Sequence, residues 1–210
     1  KHREFAFRVR SMVQLHHGKT ELFRSNETRL EQARAMHVLL DFSCGLVGEK
    51  HIDRVLKRIV SAASDLTRSR RVSIMLPDAE GRYLTIAQSI GIDDRIAAEV
   101  LVPVGEAIAG KVFLSGEQVV VNSPEEAGTY HNPYDSRFFA SVPLVSKALR
   151  TTDRVLGVLN TTDRCDQQPF STGELESLDL LCNIAASAIN DLMSRQARDC
   201  AQNGIVVALA

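Results

Sequence analysis

The 210 residues carry 25 basic and 26 acidic side chains, a net charge of −1, and are 44% hydrophobic and 24% charged. A chain of this size buries roughly 70% of its unfolded surface and needs no metal or disulfide for a core, and its neutral balance removes the case for bulk nucleic-acid binding, which draws on a strongly basic face. No apolar run approaches the roughly 18 residues of a membrane span, and four scattered cysteines (Cys44, Cys165, Cys182, Cys200) without a CxxC spacing read as reduced thiols of a cytoplasmic protein.

All six prolines fall between Pro77 and Gly173, so helices are expected on either side of a turn-rich sheet region. Near the N-terminus Phe23, Asn26, Leu30, Ala33, His37, Leu40, Cys44 and Val47 step 3-4-3-4-3-4-3, a heptad seam. Asn26 and His37 are polar; in a dimeric coiled coil such positions fix register and partner number. The alternative is one amphipathic helix lying on its own domain. Glu49–Thr67 predicts a second helix, with Ile52, Val55, Leu56, Ile59, Val60, Ala63 and Leu66 in one stripe. The basic cluster Arg68, Arg70, Arg71 is placed at its end, where cations complement the helix dipole.

Arg70–Asp78 and Tyr83–Gly91 flank the turn Ala79–Arg82 and read as a hairpin. A short strand around Leu101 is confined by Pro103 to an edge or a strand end. A short helix follows and stops at Gly116, then a strand over "EQVVVNS". The polar, aromatic loop Glu125–Arg137 holds Tyr130, His131 and Tyr134 and leads into Phe138 and Phe139, a mixture suited to a concave ligand site. "ASVPLVSKAL" and "RVLGVLNTTDR" supply two further strands. Ser171 with Glu174 forms a capping box opening a helix to about Arg198, with Leu175, Leu178, Cys182, Ala185, Ile189 and Leu192 on one stripe. Five or six strands with helices at the ends and on one face define an α+β fold.

Gly105–Val112 nearly spells the phosphate loop GxxxxGK[ST], but Val112 stands where a Mg²⁺-holding hydroxyl is needed and Pro103 interrupts the approach. Structural glycines framing a helix explain it better. No HxxxH, HExxH or paired-carboxylate pattern offers metal ligands. Cys165, with no neighbouring thiol, is the weak candidate for thiol chemistry.

"VGEAIAGKVFLSGEQVVVNS", "FFASVPL", "RVLGVLNTTDR" and "PFSTGELESLDLLCNIAASAIN", in that order over Arg71–Ile189, resemble a GAF domain, the small-molecule sensing module of bacterial signalling proteins and phosphodiesterases. The resemblance implies a six-stranded antiparallel sheet with the terminal helices on one face and a ligand pocket on the other. It makes Ile108 and Val112 part of one wall of that pocket, and Met75, Ser141 and Asn160 join the loop residues as candidate ligand-binding residues. The stretch "NTTDRCDQQPFSTGELE" lacks the Asn-Lys and Asp-Glu pairs of cyclic-nucleotide-binding members. "REFAFRVRSMVQLHHGKTEL" is similar to the last helix and exit of a receiver domain, and "QARDCAQNGIVVALA" resembles the lead-in to an HD-GYP cyclic di-GMP phosphodiesterase domain. The resulting division is a receiver exit (1–20), a coiled-coil signalling helix (21–48), a sensory domain (49–193) and a linker helix (194–210). The expected protein is a non-catalytic sensor that binds an unidentified small molecule, pairs with a second copy through Phe23, Asn26, Leu30, Ala33, His37, Leu40, Ile189 and Leu192, and touches neither nucleic acid nor membrane. The identity of any cofactor is left unknown. A ligand-free dimerisation scaffold and a thiol-based enzyme are the alternatives.

Overall fold

The computed structural model describes residues 28–123, 137–146 and 154–208, with side chains described as far as Gln196 and at Arg198. The chain divides into two units, Lys1–His37 and Val38–Ala210. In the first, residues 28–37 are helical, with Leu30, Ala33, Met36 and His37 exposed. Phe23 and Asn26 lie outside the described residues.

In chain order the elements are α1 (28–46), α2 (Ile52–Thr67), β1 (Ser69–Pro77), β2 (Tyr83–Ile90), α3 (Asp94–Glu99), β3 (Leu101–Pro103), α4 (Ala107–Ser115), β4 (Val119–Val121), β5 (Phe139–Ser146), β6 (Arg154–Arg164) and α5 (Thr172–Ala208). The strands form one six-stranded antiparallel sheet in the order β3-β2-β1-β6-β5-β4. The expected α+β architecture, with helices at both ends, is the one found. The short strands β3 and β4 occupy the edges, and Pro103 sits on an edge as its missing N–H requires. Pro143 lies beyond the part of β5 that β4 pairs with, so its missing donor breaks no bond to that neighbour.

Helix α2 buries Val55, Leu56, Ile59, Val60, Ala63 and Leu66, the predicted stripe without Ile52. Glu49 precedes α2 rather than belonging to it: its carboxylate accepts the Lys50 and His51 N–H groups at 2.9 and 3.0 Å. The helix ends on Arg68, which adopts the left-handed conformation at φ 51° and donates its N–H to the Ser64 carbonyl. The basic cluster therefore does not sit in the last turn as expected. Arg70 and Arg71 are on β1, Arg71 lies 4.0 Å from Asp163, and Arg68 lies 3.7 Å from Asp166.

The capping box is present: Glu174 accepts the Ser171 N–H at 2.8 Å, and Ser171 Oγ accepts the Glu174 N–H at 3.2 Å. From there α5 runs unbroken to Ala208, past the expected helix end near Arg198. Its buried side includes Leu178, Leu181, Cys182, Ala185, Ala186, Ile189 and Leu192, and it packs on α2 and β5. Ile189 and Leu192 were expected on a seam between two copies; they are instead core residues of this chain. Helix α3 has no buried residue and was not foreseen; Asp93 starts it by accepting the Arg95 N–H.

Candidate functional site

The site grows from strand alternation. Residues paired across neighbouring antiparallel strands point to the same face. Met75 pairs with Val158, and Val158 with Pro143; two residues along, Ser73 pairs with Asn160, and Asn160 with Ser141. One face of the sheet centre thus carries an apolar row and, beside it, a polar row. The opposite face carries Val72, Ile74, Val142 and Leu159, all fully buried.

Helix α4 roofs the apolar row. Its Ala109 and Val112 pack with Met75, Leu84 and Val158, with Ile108, Phe113 and Val119 around them. Close approach is permitted by Gly110, where a Cβ would strike the Pro103 carbonyl, and by Gly105, at φ 86°, whose N–H donates to the Gly110 carbonyl at 3.0 Å. These glycines shape the turn into α4, which disposes of the phosphate-loop likeness in favour of the structural explanation. Met75, Ile108 and Val112, three of the candidate ligand-binding residues, lie in this one apolar cluster.

The polar row is hydrogen-bonded across three strands. Ser141 Oγ donates to Asn160 Oδ1 at 2.7 Å, and Asn160 Nδ2 reaches Ser73 Oγ at 3.5 Å. Ser73 and Ser141 are buried and Asn160 half-buried. One row further, Phe139 and Arg71 both pair with Thr162, whose hydroxyl oxygen is buried and has no hydrogen-bond partner among the described residues, as is also true of Thr161 on the opposite face. Such groups are uncommon in folded proteins. Ser141 and Asn160 were expected here; Ser73 and Thr162 were not. The available signal for Ser73 was a lone hydroxyl inside the apolar run "RVSIML". Phe138 and Phe139 are buried. Tyr130, His131 and Tyr134 lie outside the described residues.

Cys165 is exposed in the turn after β6, as expected. Cys182 is buried in α5, and burial first, then the Asp179 charge, pushes its thiol pKa up, the opposite of an activated nucleophile. Among the described residues no His, Cys, Asp and Glu side chains gather as a metal site, and no helix is long and apolar enough to cross a membrane. On the helical side a groove of about 580 Å³ opens between residues 43–49 and α5, lined by Leu46, Val47, Ile184, Ala188 and Leu192 among others. Along α1, Leu39 and Phe42 are buried, whereas the seam positions Leu40, Cys44 and Val47 are exposed.

The sequence profile of the GAF domain matches residues 51–189. No curated protein matches the chain significantly. Among solved structures, the GAF domain of a phosphoenolpyruvate-protein phosphotransferase from Coxiella burnetii superposes with a TM-score of 0.67 at 16% identity, covering 79% of this chain and 98% of that one. The corresponding domain from Acinetobacter gives 0.64 at 20% identity, covering 76% and 94%. A free methionine-R-sulfoxide reductase from Neisseria meningitidis, solved with its substrate, gives 0.60 at 21% identity, covering 79% and 93%. At these identities the likeness is one of fold.

Proposed function

The chain belongs to the GAF domain family, a common small-molecule sensing and signalling module, and from that premise we propose that it is a non-catalytic sensor whose ligand lies against the polar row Ser73–Asn160–Ser141. The observation that carries this reading is a hydrogen-bonded polar row lying directly beside the apolar row that α4 covers. Ligand sites take this form, mostly apolar with a few placed polar groups that fix orientation. The loop residues Tyr130, His131 and Tyr134 complete the site in this reading, with Phe138 and Phe139 at its margin.

A ligand acts by favouring one of two arrangements of the terminal helices, through its differential affinity for them. In the proposed protein two copies pair along Leu30, Ala33, His37 and Leu40. This stripe is supported by its heptad spacing and its outward exposure. The output is control of a downstream domain, by sequence resemblance an HD-GYP cyclic di-GMP phosphodiesterase, with a receiver domain upstream, which makes the whole a two-component response regulator.

A second reading has its own observation. Met75, Phe138 and Phe139 are all buried, and α4 packs directly on Met75 and Val158; a filled face of this kind suits a ligand-free spacer. Native mass spectrometry of the purified chain separates the two. The sensor reading expects a small molecule to copurify with the wild type and to be lost from Asn160→Leu. A bare mass for a folded wild type, both as purified from cell extract and after dialysis, selects the spacer.

A further inference from the structure

The end of β4 is fastened to a place 48 residues away by a single side chain. Asn122 Nδ2 donates to the Phe170 carbonyl at 3.0 Å, and Asn122 Oδ1 accepts the Phe170 N–H at 2.9 Å. The amide thus pairs reciprocally with one backbone residue, as a neighbouring strand would. The Phe170 ring lies beneath the Arg164 guanidinium, 4.5 Å from its centroid, and both residues are buried. Arg164 in turn donates to the Thr67 carbonyl at the end of α2 (2.9 Å), to both oxygens of Asp166 (3.1 and 3.0 Å) and to Glu174 Oε1 (3.0 Å). The other Glu174 oxygen accepts the Ser171 N–H, in the capping box that starts α5.

We propose that Asn122, Phe170 and Arg164 form a coupling device that ties the root of the segment 124–137 to the first turn of α5 and the last turn of α2. It deepens the sensory reading and rests on it for the direction of the signal, since Tyr130, His131 and Tyr134 belong to that segment in sequence. Each link is specific. A reciprocal amide pair tolerates little sliding, a stacked guanidinium follows the ring beneath it, and one arginine serves three elements at once. Coupling through a contiguous chain of hydrogen bonds and packed groups is the physical form such transmission takes. A displacement of Asn122 moves Phe170 by its backbone, and Phe170 is one residue before the Ser171 cap.

Hydrogen exchange of the full chain, read by mass spectrometry without any added ligand, tests this. Asn122→Ala is expected to speed exchange about fivefold to tenfold at residues 164–169 and 172–178, the lower end of the loss expected when a reciprocal pair of hydrogen bonds is removed from a cooperative unit. The Leu175 N–H, bonded to the Ser171 carbonyl, and the Cys165 N–H, bonded to the Arg68 carbonyl, are the reporters. Gln88→Ala removes an amide whose bond is local, to the Ser89 carbonyl, and should leave those reporters within about twofold. Acceleration confined to residues 119–123 and the Phe170 N–H overturns the proposal. Should Asn122→Ala not fold, Asn122→Asp keeps the acceptor for the Phe170 N–H and is expected to give about threefold at the same reporters; none beyond residue 170 overturns it equally. Because no ligand is used, a chain that copurifies with nothing sinks the sensory reading and leaves this coupling standing, and the converse holds.

Discussion

Against the sheet face that carries Val72, Ile74 and Leu159 the chain brings α2 and α5, each with a long buried stripe; against the face that carries Ser73, Met75 and Asn160 it brings the nine-residue α4 and the short strands β3 and β4. The first face is apolar at the sheet centre apart from Thr161, which pairs with Val72 and Ala140. The second changes from apolar to polar within two residues along each strand. The difference teaches where this fold holds its stability and where it keeps freedom to bind. Ligand sites and the elements that move are drawn from the less stable part of a structure, and the α4 face has the smaller cover and the polar row Ser73–Asn160–Ser141.

The comparison breaks first if the helical face is not the core. Ile189 is fully buried, so Ile189→Ala is expected to lower unfolding stability by about 3 kcal/mol through lost burial and a residual cavity. Urea denaturation measures it. Were Ile189 a contact between two copies, the same variant would weaken association and leave the monomer's unfolding midpoint nearly unchanged.

The seam joining the two faces is the Arg164 cluster, and the next largest effect is expected there. Arg164 is buried, while Asp166 and Glu174 remain partly exposed, so Arg164→Met should cost about 2 kcal/mol, less than a fully enclosed pair. A pH signature accompanies it. Burial, the largest influence on Asp166, raises its pKa, but the Gln168 N–H, the Arg164 guanidinium and the Arg68 charge outweigh burial and hold the carboxyl below its ordinary value. The unfolded chain therefore binds a proton at a pH where the folded chain does not, and stability rises with pH in that window. This contribution is complete above the ordinary Asp value, about 3.9, and is lost as pH falls through the lower folded value. Asp166→Asn should be less stable than wild type at neutral pH, and urea midpoints of the two should converge under strong acid. A gap that stays constant with pH would remove Asp166 from the cluster's electrostatics.

What the sequence makes legible follows from how local each determinant is. The α2 stripe, the β1–β2 hairpin, the stop at Gly116 and the Ser171–Glu174 box each depend on residues a few positions apart, and all are in place. Arg164 was invisible because its partners lie 2, 10 and 97 residues away; nothing in "TTDRCD" distinguishes it from a solvated arginine. Ile189 and Leu192 were misplaced for a different reason. A 3-4 spacing describes a core stripe as well as a coiled-coil seam, and on α5 the sheet, not a second copy, takes that stripe. For the site, the family likeness singled out Ile108 and Val112 as one stretch of chain, whereas Ser73 required the strand register that only folding fixes.

Helix α1 offers the smallest effect on folding and the sharpest contrast, because adjacent residues meet opposite fates. Leu39 is 7% exposed and Leu40 56% exposed. From Val38 onward the helix lies on its own domain through Leu39 and Phe42, and the heptad positions Leu40, Cys44 and Val47 face outward. One helix with two apolar sides spends only one on its own core, and an apolar stripe at heptad spacing is what a second helix packs against. Leu40→Glu is therefore expected to change the unfolding stability of the single chain by less than about 0.5 kcal/mol, as surface substitutions do, while turning a dimer into a monomer in sedimentation equilibrium. Leu39→Ala should do the reverse, destabilising by about 2 kcal/mol with the association state retained until it unfolds. A wild type that sediments as a monomer at every concentration removes the second copy from the seam, and the outward stripe then needs a different occupant.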